Sequence, residues 1–333
     1  MKPSIAIVGG GGWGTALSMA MARAHESIDL WVFEPDVAEA IRTERTNPIY
    51  LPGVRLPETV HASSSLEEVL RGADIVISAV PSHVCRSVFE QMRPFLTPEM
   101  TFVSATKGIE NETLMRMSEV ITDVIGESFQ PRVAAISGPT FALEVARGEP
   151  TALVVAGPDE SSRLFLQKEL SAPRFRLYTN PDIVGVEIGA SVKNIIAIAA
   201  GVVSGLNLGH NATAALITRG LAEIMRLAEA CGGRSETLAG LAGLGDLVLT
   251  CTGHLSRNRQ VGCALGKGKK LDEIISSMRM VAEGVKTSKS TVALASKMSV
   301  EMPIAQQIFS VLYEDKNPED AITDLMERAL KQE

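Results

Sequence analysis

The feature that most constrains this chain lies at its start. A short apolar run, Ser4-Ile-Ala-Ile-Val8, feeds directly into Gly9-Gly-Gly-Gly-Trp-Gly14. An apolar run without polar alternation reads as a strand buried on both faces, as in a parallel sheet covered by helices. The glycines fit the spacing Gly9-x-Gly11-x-x-Gly14, and the sequence from Trp13 to about His25 reads as a helix. Between a strand and a helix each glycine has a task. Gly9 permits the tight turn, Gly11 lets the backbone approach a diphosphate, and Gly14 lets helix and strand pack closely. The free N–H groups and positive dipole end of the helix then face the phosphates. The spacing predicts a dinucleotide site.

The second strand, Ile28 to Phe33, ends at Glu34. An acidic residue roughly 20 positions past such a loop accepts a hydrogen bond from an adenosine ribose 2′-hydroxyl and repels a 2′-phosphate. Glu34 therefore favours NAD, although Arg42 and Arg45 a little further on are candidates to offset that repulsion. Further strands are expected at 74–80, 101–104, 132–136, 151–155 and 175–178, with helical stretches between them. This alternation predicts an α/β fold, a doubly wound parallel sheet of Rossmann type. After Asn180 the strand pattern stops and helical segments take over. We expect a Rossmann domain over 1–185 and an all-helical substrate and catalytic domain over 186–333.

Composition narrows the function. A length of 333 residues suits two domains, and a 45% hydrophobic share fills real cores. A net charge of −7 argues against nucleic acid as the main partner. The basic run Lys267 to Lys270 reads as a solvated loop. Cys85, Cys231, Cys251 and Cys263 form no Cys-x-x-Cys pair and read as reduced thiols, and no metal-ligand pattern appears. The run Ile5 to Val8 is too short for a signal peptide, and the longest later apolar stretch, Ile195 to Val203, falls short of a membrane span. These features point to a cytoplasmic protein without membrane insertion.

Three segments follow strands or open the helical half in positions where loops converge on a ligand. Lys107, in Ala105-Thr-Lys-Gly108, lies past the fourth of these strands, where parallel sheets bind ligands. Gly138 and Thr140, in Ser137-Gly-Pro-Thr-Phe-Ala142, offer backbone and hydroxyl donors and also fit a helix cap. Lys193-Asn194 lies on the first long helix of the second half. Helical spacing puts Gly189, Ala197, Ala200 and Gly201 on the face of Lys193, which leaves room for a ligand or another helix. Burial and the charge of Lys107 both lower the pKa of such a lysine, which tunes it for acid–base work. A fourth segment, Asp246 through Ser256-Arg257-Asn258-Arg259, combines a carboxylate, a hydroxyl, an amide and two guanidiniums. Those groups at a helix start suit a phosphate, and equally suit a capped helix with exposed charges.

Taken in order, these segments resemble bacterial NAD(P)-dependent glycerol-3-phosphate dehydrogenase, with the match running from residue 5 to about 284 across both halves. The resemblance implies conversion between dihydroxyacetone phosphate and sn-glycerol 3-phosphate with NAD(P)H, for phospholipid synthesis. It implies that Lys193 is the proton donor and acceptor. It places Lys107, Gly138, Thr140, Asp246, Ser256, Arg257 and Asn258 on the substrate, and Gly12, Trp13, Ala142, Val281 and Glu283 on the cofactor, with Lys107 and Arg257 reaching both. It implies a homodimer. Family members often accept NADPH, against the lean of Glu34. Two rivals remain at this stage: a related two-domain hydroxy-acid dehydrogenase, and a protein that senses NAD(H) without turnover. Asp246 to Arg259 speaks against the first, and a proton-donating lysine against the second.

Overall fold

The computed structural model describes residues 2–278 and 282–330. Val281, implied above as a cofactor residue, lies outside the described residues. The chain runs β1 (Ile5–Val8), α1 (Gly12–Met21), β2 (Ile28–Trp31), α2 (Pro35–Glu44), β3 (Thr46–Asn47), β4 (Leu51–Arg55), β5 (Val60–Ser63), α3 (Leu66–Leu70), β6 (Ile75–Ser78), α4 (Cys85–Met92) and β7 (Thr101–Ser104). It continues with α5 (Met117–Gly126), β8 (Arg132–Ser137), α6 (Ala142–Arg147), β9 (Thr151–Ala156), α7 (Glu160–Leu170) and β10 (Phe175–Asn180). The remaining elements are helical: α8 (Ile183–Gly205), α9 (Gly209–Ala230), α10 (Ser235–Leu238), α11 (Asp246–Thr252), α12 (Arg257–Gly266), α13 (Leu271–Ser277), α14 (Glu283–Lys297), α15 (Pro303–Tyr313) and α16 (Pro318–Met326).

The main sheet has the order β10-β9-β8-β7-β6-β1-β2-β5. Its two faces are visible within β1. Ile5 and Ile7 pack with Leu17 of α1, Ile41 of α2 and Leu166 of α7, whereas Ala6 and Val8 pack with Val69 of α3, Phe89 of α4 and Ile121 of α5. Alternate residues thus enter two separate cores, one on each face, which is why the strand needs an unbroken apolar run.

One expectation is corrected. The sheet is parallel from β5 to β8, but β9 pairs antiparallel to β8, and β10 follows β9 in parallel. The link between β8 and β9, residues 138–150, holds a single helix, the six-residue α6. Such a helix rises roughly 9 Å and cannot by itself carry the chain back along a strand of about 20 Å. Instead α6 packs against α1, and Arg23 donates to the carbonyls of Val145 and Ala146 at its C-terminal end. Strand β5 and the β3–β4 ribbon carry no apolar signature; β5 reads Val-His-Ala-Ser, an edge strand whose pairing comes from β2 alone.

The helical half is organised around α8. Asp182 caps it, accepting from Gly185 N–H at 2.8 Å through one oxygen and from Arg234 N–H at 2.8 Å through the other. Nearly all of α8 is buried, and Ile188, Val192, Ile195 and Ile196 share a core with α9, α11, α12, α14 and α15. Although its longest purely apolar run is short, the 23-residue helix as a whole is long and apolar enough to cross a bilayer; it is instead a core helix, 89% buried over its most apolar window.

The small residues on α8 have a packing role. Gly201 and Gly205 face Gly262 and Gly266 of α12, so the two backbones touch. A Cβ at Gly262 would run into the carbonyl of Ile198. Gly262→Ala should therefore lower stability by about 3 kcal/mol, the upper range for overpacking, as read by urea unfolding. A loss under ~0.5 kcal/mol would mean that the helices separate easily.

Candidate functional site

Strands β1 and β6 are neighbours, yet the chain leaves β1 toward β2 and leaves β6 toward β7. Their C-terminal loops diverge and open a crevice at this switch point. The β1 loop is held rigidly. Gly9 takes φ +121°, and a Cβ there would lie 2.8 Å from the Ala79 carbonyl of the β6 loop. The Gly10 carbonyl accepts from Thr15 Oγ1 at 3.2 Å and from Asn47 Nδ2 at 2.8 Å. At Gly14 a Cβ would collide with the Gly9 carbonyl, so only glycine lets α1 start so close to the strand.

A cavity of about 720 Å³ fills the crevice and extends to the helical half. Its wall includes Gly9, Gly11, Gly12, Trp13 and Glu34 at one end and Lys107, Thr140, Ala142 and Lys193 beyond them. Ser256, Arg257, Asn258 and Glu283 also line it, and the Arg257 guanidinium lies 3.5 Å from a Cβ built on Gly12. The shape and donors suit a dinucleotide. A Cβ built on Gly11 meets only open space, and no side chain caps the first turn of α1, so its N–H groups remain for an anion. Gly14, Gly138 and Asp246 lie behind the wall. Gly138 is buried, and its carbonyl accepts from Thr140 Oγ1 at 3.1 Å.

At the ribose end Glu34 is half-buried, and its carboxylate accepts from Tyr50 Oη at 2.5 Å. This hydrogen bond above all, with burial and the charges of Glu34 and Asp36, pushes the Tyr50 phenol up to about 12. The two arginines flagged in the sequence point elsewhere. Arg45 is 7% exposed and donates to the carbonyls of Pro57 and Val60, while Arg42 pairs with Glu39 one turn earlier.

At the other end Asp246, fully buried at the start of α11, bridges two lysines. One carboxylate oxygen accepts from Lys193 Nζ at 2.5 Å and the other from Lys107 Nζ at 2.8 Å. Lys193, 4% exposed, also donates to Thr250 Oγ1 at 2.8 Å. Burial pushes Lys193 down to about 7; Asp246 opposes that shift and Lys107 adds to it. Burial by itself would raise Asp246, but the two ammonium groups outweigh it and hold the carboxyl below its ordinary value.

Backbone anchors hold this trio. Gly108 N–H donates to Ser191 Oγ at 3.0 Å, which ties the Lys107 loop to α8 two residues before Lys193. Buried Glu187, two turns earlier on α8, accepts from Ser118 N–H at 2.8 Å and pairs with Arg116 at 2.5 Å, fastening α8 to α5. Ser256 caps α12, accepting from Arg259 N–H at 3.2 Å, and Asn258 Oδ1 accepts from Gly284 N–H at 2.9 Å. The helix cap expected of this segment is present, and Arg257 and Arg259 are half-buried rather than exposed. Glu283 accepts from Ser82 Oγ at 2.9 Å. Arg257 is half-buried beside the cavity, and its guanidinium has no hydrogen-bond partner among the described residues; burial lowers its pKa, with Glu283 opposing.

Tyr50 and Thr250 escaped the sequence reading. Tyr50 sits in a Pro- and Gly-punctuated stretch, Asn47-Pro-Ile-Tyr-Leu-Pro-Gly53, that gives no sign of which side chain turns toward β2. Thr250 does carry a signal, lying four residues after Asp246 on one helix face. Among the described residues no group of three or more His, Cys, Asp or Glu is placed to hold a metal ion. Lys267 to Lys270 are exposed, and Lys270 pairs with Asp315 at 3.3 Å.

Residues 4–163 match the N-terminal part, and residues 182–323 the C-terminal part, of NAD-dependent glycerol-3-phosphate dehydrogenase. Among individual relatives, a glycerol-3-phosphate dehydrogenase [NAD(P)+] of Koribacter versatilis is 56% identical over 97% of each chain. One of Syntrophobacter fumaroxidans is 50% identical over 100% of this chain and 98% of its own. A crystal structure of glycerol-3-phosphate dehydrogenase from Coxiella burnetii, 42% identical, superposes with a TM-score of 0.94 over 98% of this chain and 99% of its own.

Proposed function

Because the chain belongs to the NAD-dependent glycerol-3-phosphate dehydrogenase family, its reaction is the NAD(P)-linked interconversion of sn-glycerol 3-phosphate and dihydroxyacetone phosphate, and we propose that Lys193 moves the proton at the C2 oxygen. One observation carries this role. Lys193 is buried in the cavity wall, fixed by Asp246 and Thr250, with its pKa brought to about 7, where it gives and takes a proton with equal ease.

When bound, the nicotinamide supplies the hydride to C2 or accepts it from C2. In the reduction, negative charge grows on the C2 oxygen, and the Lys193 ammonium neutralises it and hands over its proton. In the oxidation the neutral amine takes the alcohol proton. Asp246 keeps the amine aimed and balances its charge, which otherwise faces Lys107. Arg257 and the N-terminal turn of α12 receive the substrate phosphate, for a guanidinium without an internal partner beside a helix start is suited to an anion. Lys107, Gly138, Thr140, Ser256 and Asn258 shape the rest of the substrate pocket. Gly9, Gly11, Gly12, Trp13, Gly14, Glu34, Ala142 and Glu283 surround the cofactor, with Lys107 and Arg257 between the two. The Rossmann half, 1–185, binds the cofactor, and the helical half, 186–333, brings the acid–base group.

The enzyme acts in the cytoplasm as a homodimer and supplies glycerol 3-phosphate for phospholipids. Light scattering should return about twice the 35.5 kDa chain mass. Oxidation of sn-glycerol 3-phosphate, with no turnover of a 3-hydroxy acid, is the result expected in a nicotinamide absorbance assay. Preference for the hydroxy acid would overturn the substrate assignment, and cofactor binding without turnover of either would favour a sensor. Arg257→Ala should raise KM for dihydroxyacetone phosphate roughly 10- to 10²-fold through loss of charge-assisted hydrogen bonds. An unchanged KM would place the phosphate elsewhere.

A further inference from the structure

We propose that the Arg86–Glu110 ion pair positions Lys107: it fixes the loop that carries this lysine, and so the distance at which the Lys107 ammonium stands from Lys193. The proposal deepens the acid–base reading above and rests on it.

Four observations carry it. First, the pair is built to hold. Glu110 is 7% exposed and lies three residues after Lys107, on the link between β7 and α5. Its two oxygens accept from Arg86 Nε and Nη2 of α4, each at 2.9 Å, a fork that fixes direction as well as distance. Burial by itself would raise the Glu110 carboxyl, but the arginine outweighs it and holds the carboxyl below its ordinary value, so the pair stays charged near neutrality. Second, the chain turns back on itself at Glu110. Its N–H donates to the Met115 carbonyl and its own carbonyl accepts from Leu114 N–H, both at 3.0 Å. A displaced Glu110 therefore displaces a whole turn. Third, the loop is gripped from both halves. Arg86 belongs to the Rossmann half. On the helical side Gly108 N–H donates to Ser191 Oγ, the Ile109 carbonyl accepts from Ser290 Oγ of α14 at 3.0 Å, and the Ile109 side chain sits in the helical core. Fourth, neither Arg86 nor Glu110 lines the cavity, so the pair acts on the site through the loop.

The charged groups facing Glu110 are Arg86 of α4 and exposed Asp123 of α5, which accepts from Arg86 Nη1 at 2.6 Å; Thr113 of the same loop also donates to Glu110. Those facing Lys193 are Asp246 and Lys107, with the Cys251 thiol of α11 close enough to feel its charge. Lys107 pushes the Lys193 pKa down and shares Asp246 with it. Once the loop is released, Lys107 stands beside Lys193 less of the time and Asp246 serves Lys193 more fully. Both changes let the Lys193 ammonium persist to higher pH. A pair with a merely structural role would lower stability and leave that midpoint in place.

The test uses full-length Glu110→Gln, Arg86→Lys and Asp123→Asn, read by the pH profile of dihydroxyacetone phosphate reduction and by amide hydrogen exchange. In Glu110→Gln the reduction midpoint should rise by about half a pH unit, roughly threefold in the amine–ammonium equilibrium. KM for dihydroxyacetone phosphate should rise ~3- to 10-fold with NADH affinity unchanged, because a misplaced group costs reactivity and not cofactor contacts. The Gly108 and Leu114 amides should exchange about 10-fold faster. Arg86→Lys keeps the charge but loses the fork, and should show the same changes at smaller size; it carries the test if Glu110→Gln does not fold. Asp123→Asn removes the other partner of the same arginine and should change neither readout. A midpoint that stays put or falls in the folded variants, unchanged exchange at Gly108, or the same upward shift in Asp123→Asn would each overturn the proposal. A wild-type profile without a break near 7 would instead sink the role of Lys193, and exchange at Gly108 then decides whether the pair holds the loop.

Discussion

Lys193→Ala should lower kcat by at least ~10²-fold while leaving NADH affinity nearly unchanged. The expected size follows from the role. In the proposed role the lysine supplies an ammonium to the charge growing on the C2 oxygen, and among the described residues no second acid in the cavity wall is placed to replace it. Lys107 is the nearest candidate, but its ammonium is drawn to the opposite oxygen of Asp246. The pH profile adds a sharper reading. A lysine brought to about 7 is mostly ammonium below that pH and mostly amine above it. Ketone reduction, which needs the ammonium, should therefore fall as pH rises through about 7. Alcohol oxidation, which needs the amine, should rise over the same interval. Near wild-type kcat in Lys193→Ala, or two profiles moving in the same direction, would remove Lys193 from the proton path.

Asp246→Asn should give the second large effect, and its sign can be worked out. Burial and Lys107 both push the Lys193 pKa down, and Asp246 is what opposes them. Without that carboxylate the pKa falls further, and both pH profiles move to lower pH. Measured at pH 7, reduction should be depressed more than oxidation, because the ammonium is the form that is lost. The substitution also leaves buried Lys193 and half-buried Lys107 without their shared anion. Breaking a buried ion pair in this way costs about 3–5 kcal/mol, partly relieved here because Lys193 sheds its proton. A merely structural Asp246 would lower stability and activity but leave the pH midpoint in place. Shifted midpoints in the folded variant, measured for both directions, separate the two roles.

Much of this architecture was legible in the chain, and the reason differs from element to element. The run Ile5 to Val8 had to be a two-sided strand, since nothing else buries both of its faces, and the glycines behind it left few conformations open. The loss of strand pattern after Asn180 marked the change to helices, and β10 does end there. The antiparallel turn into β9 was not legible, because a strand's own side chains do not state its direction; the short α6 link decides that. The glycines around Lys193 were read correctly as small but left between two uses. Contact with α12 at Gly262 and Gly266 resolves the use of Gly201.

The sequence by itself determined the Rossmann-type start, the helical second half, the family, and the residue types of the proposed site. These are local properties: periodicity, glycine spacing and ordered motifs. Only the tertiary structure decided which charges meet. Asp246 lies 53 residues from Lys193 and 139 from Lys107, yet one buried carboxylate holds both; burial lowers the Lys193 pKa, Asp246 opposes that shift and Lys107 adds to it. At the ribose end, the chain presented Glu34 with two arginines downstream and left the balance open. In the fold Arg42 turns to Glu39, Arg45 is buried against two carbonyls, and Tyr50 of the ribbon donates to Glu34. Electrostatic interactions fall with distance and strengthen with burial, and neither quantity is written in the order of the residues.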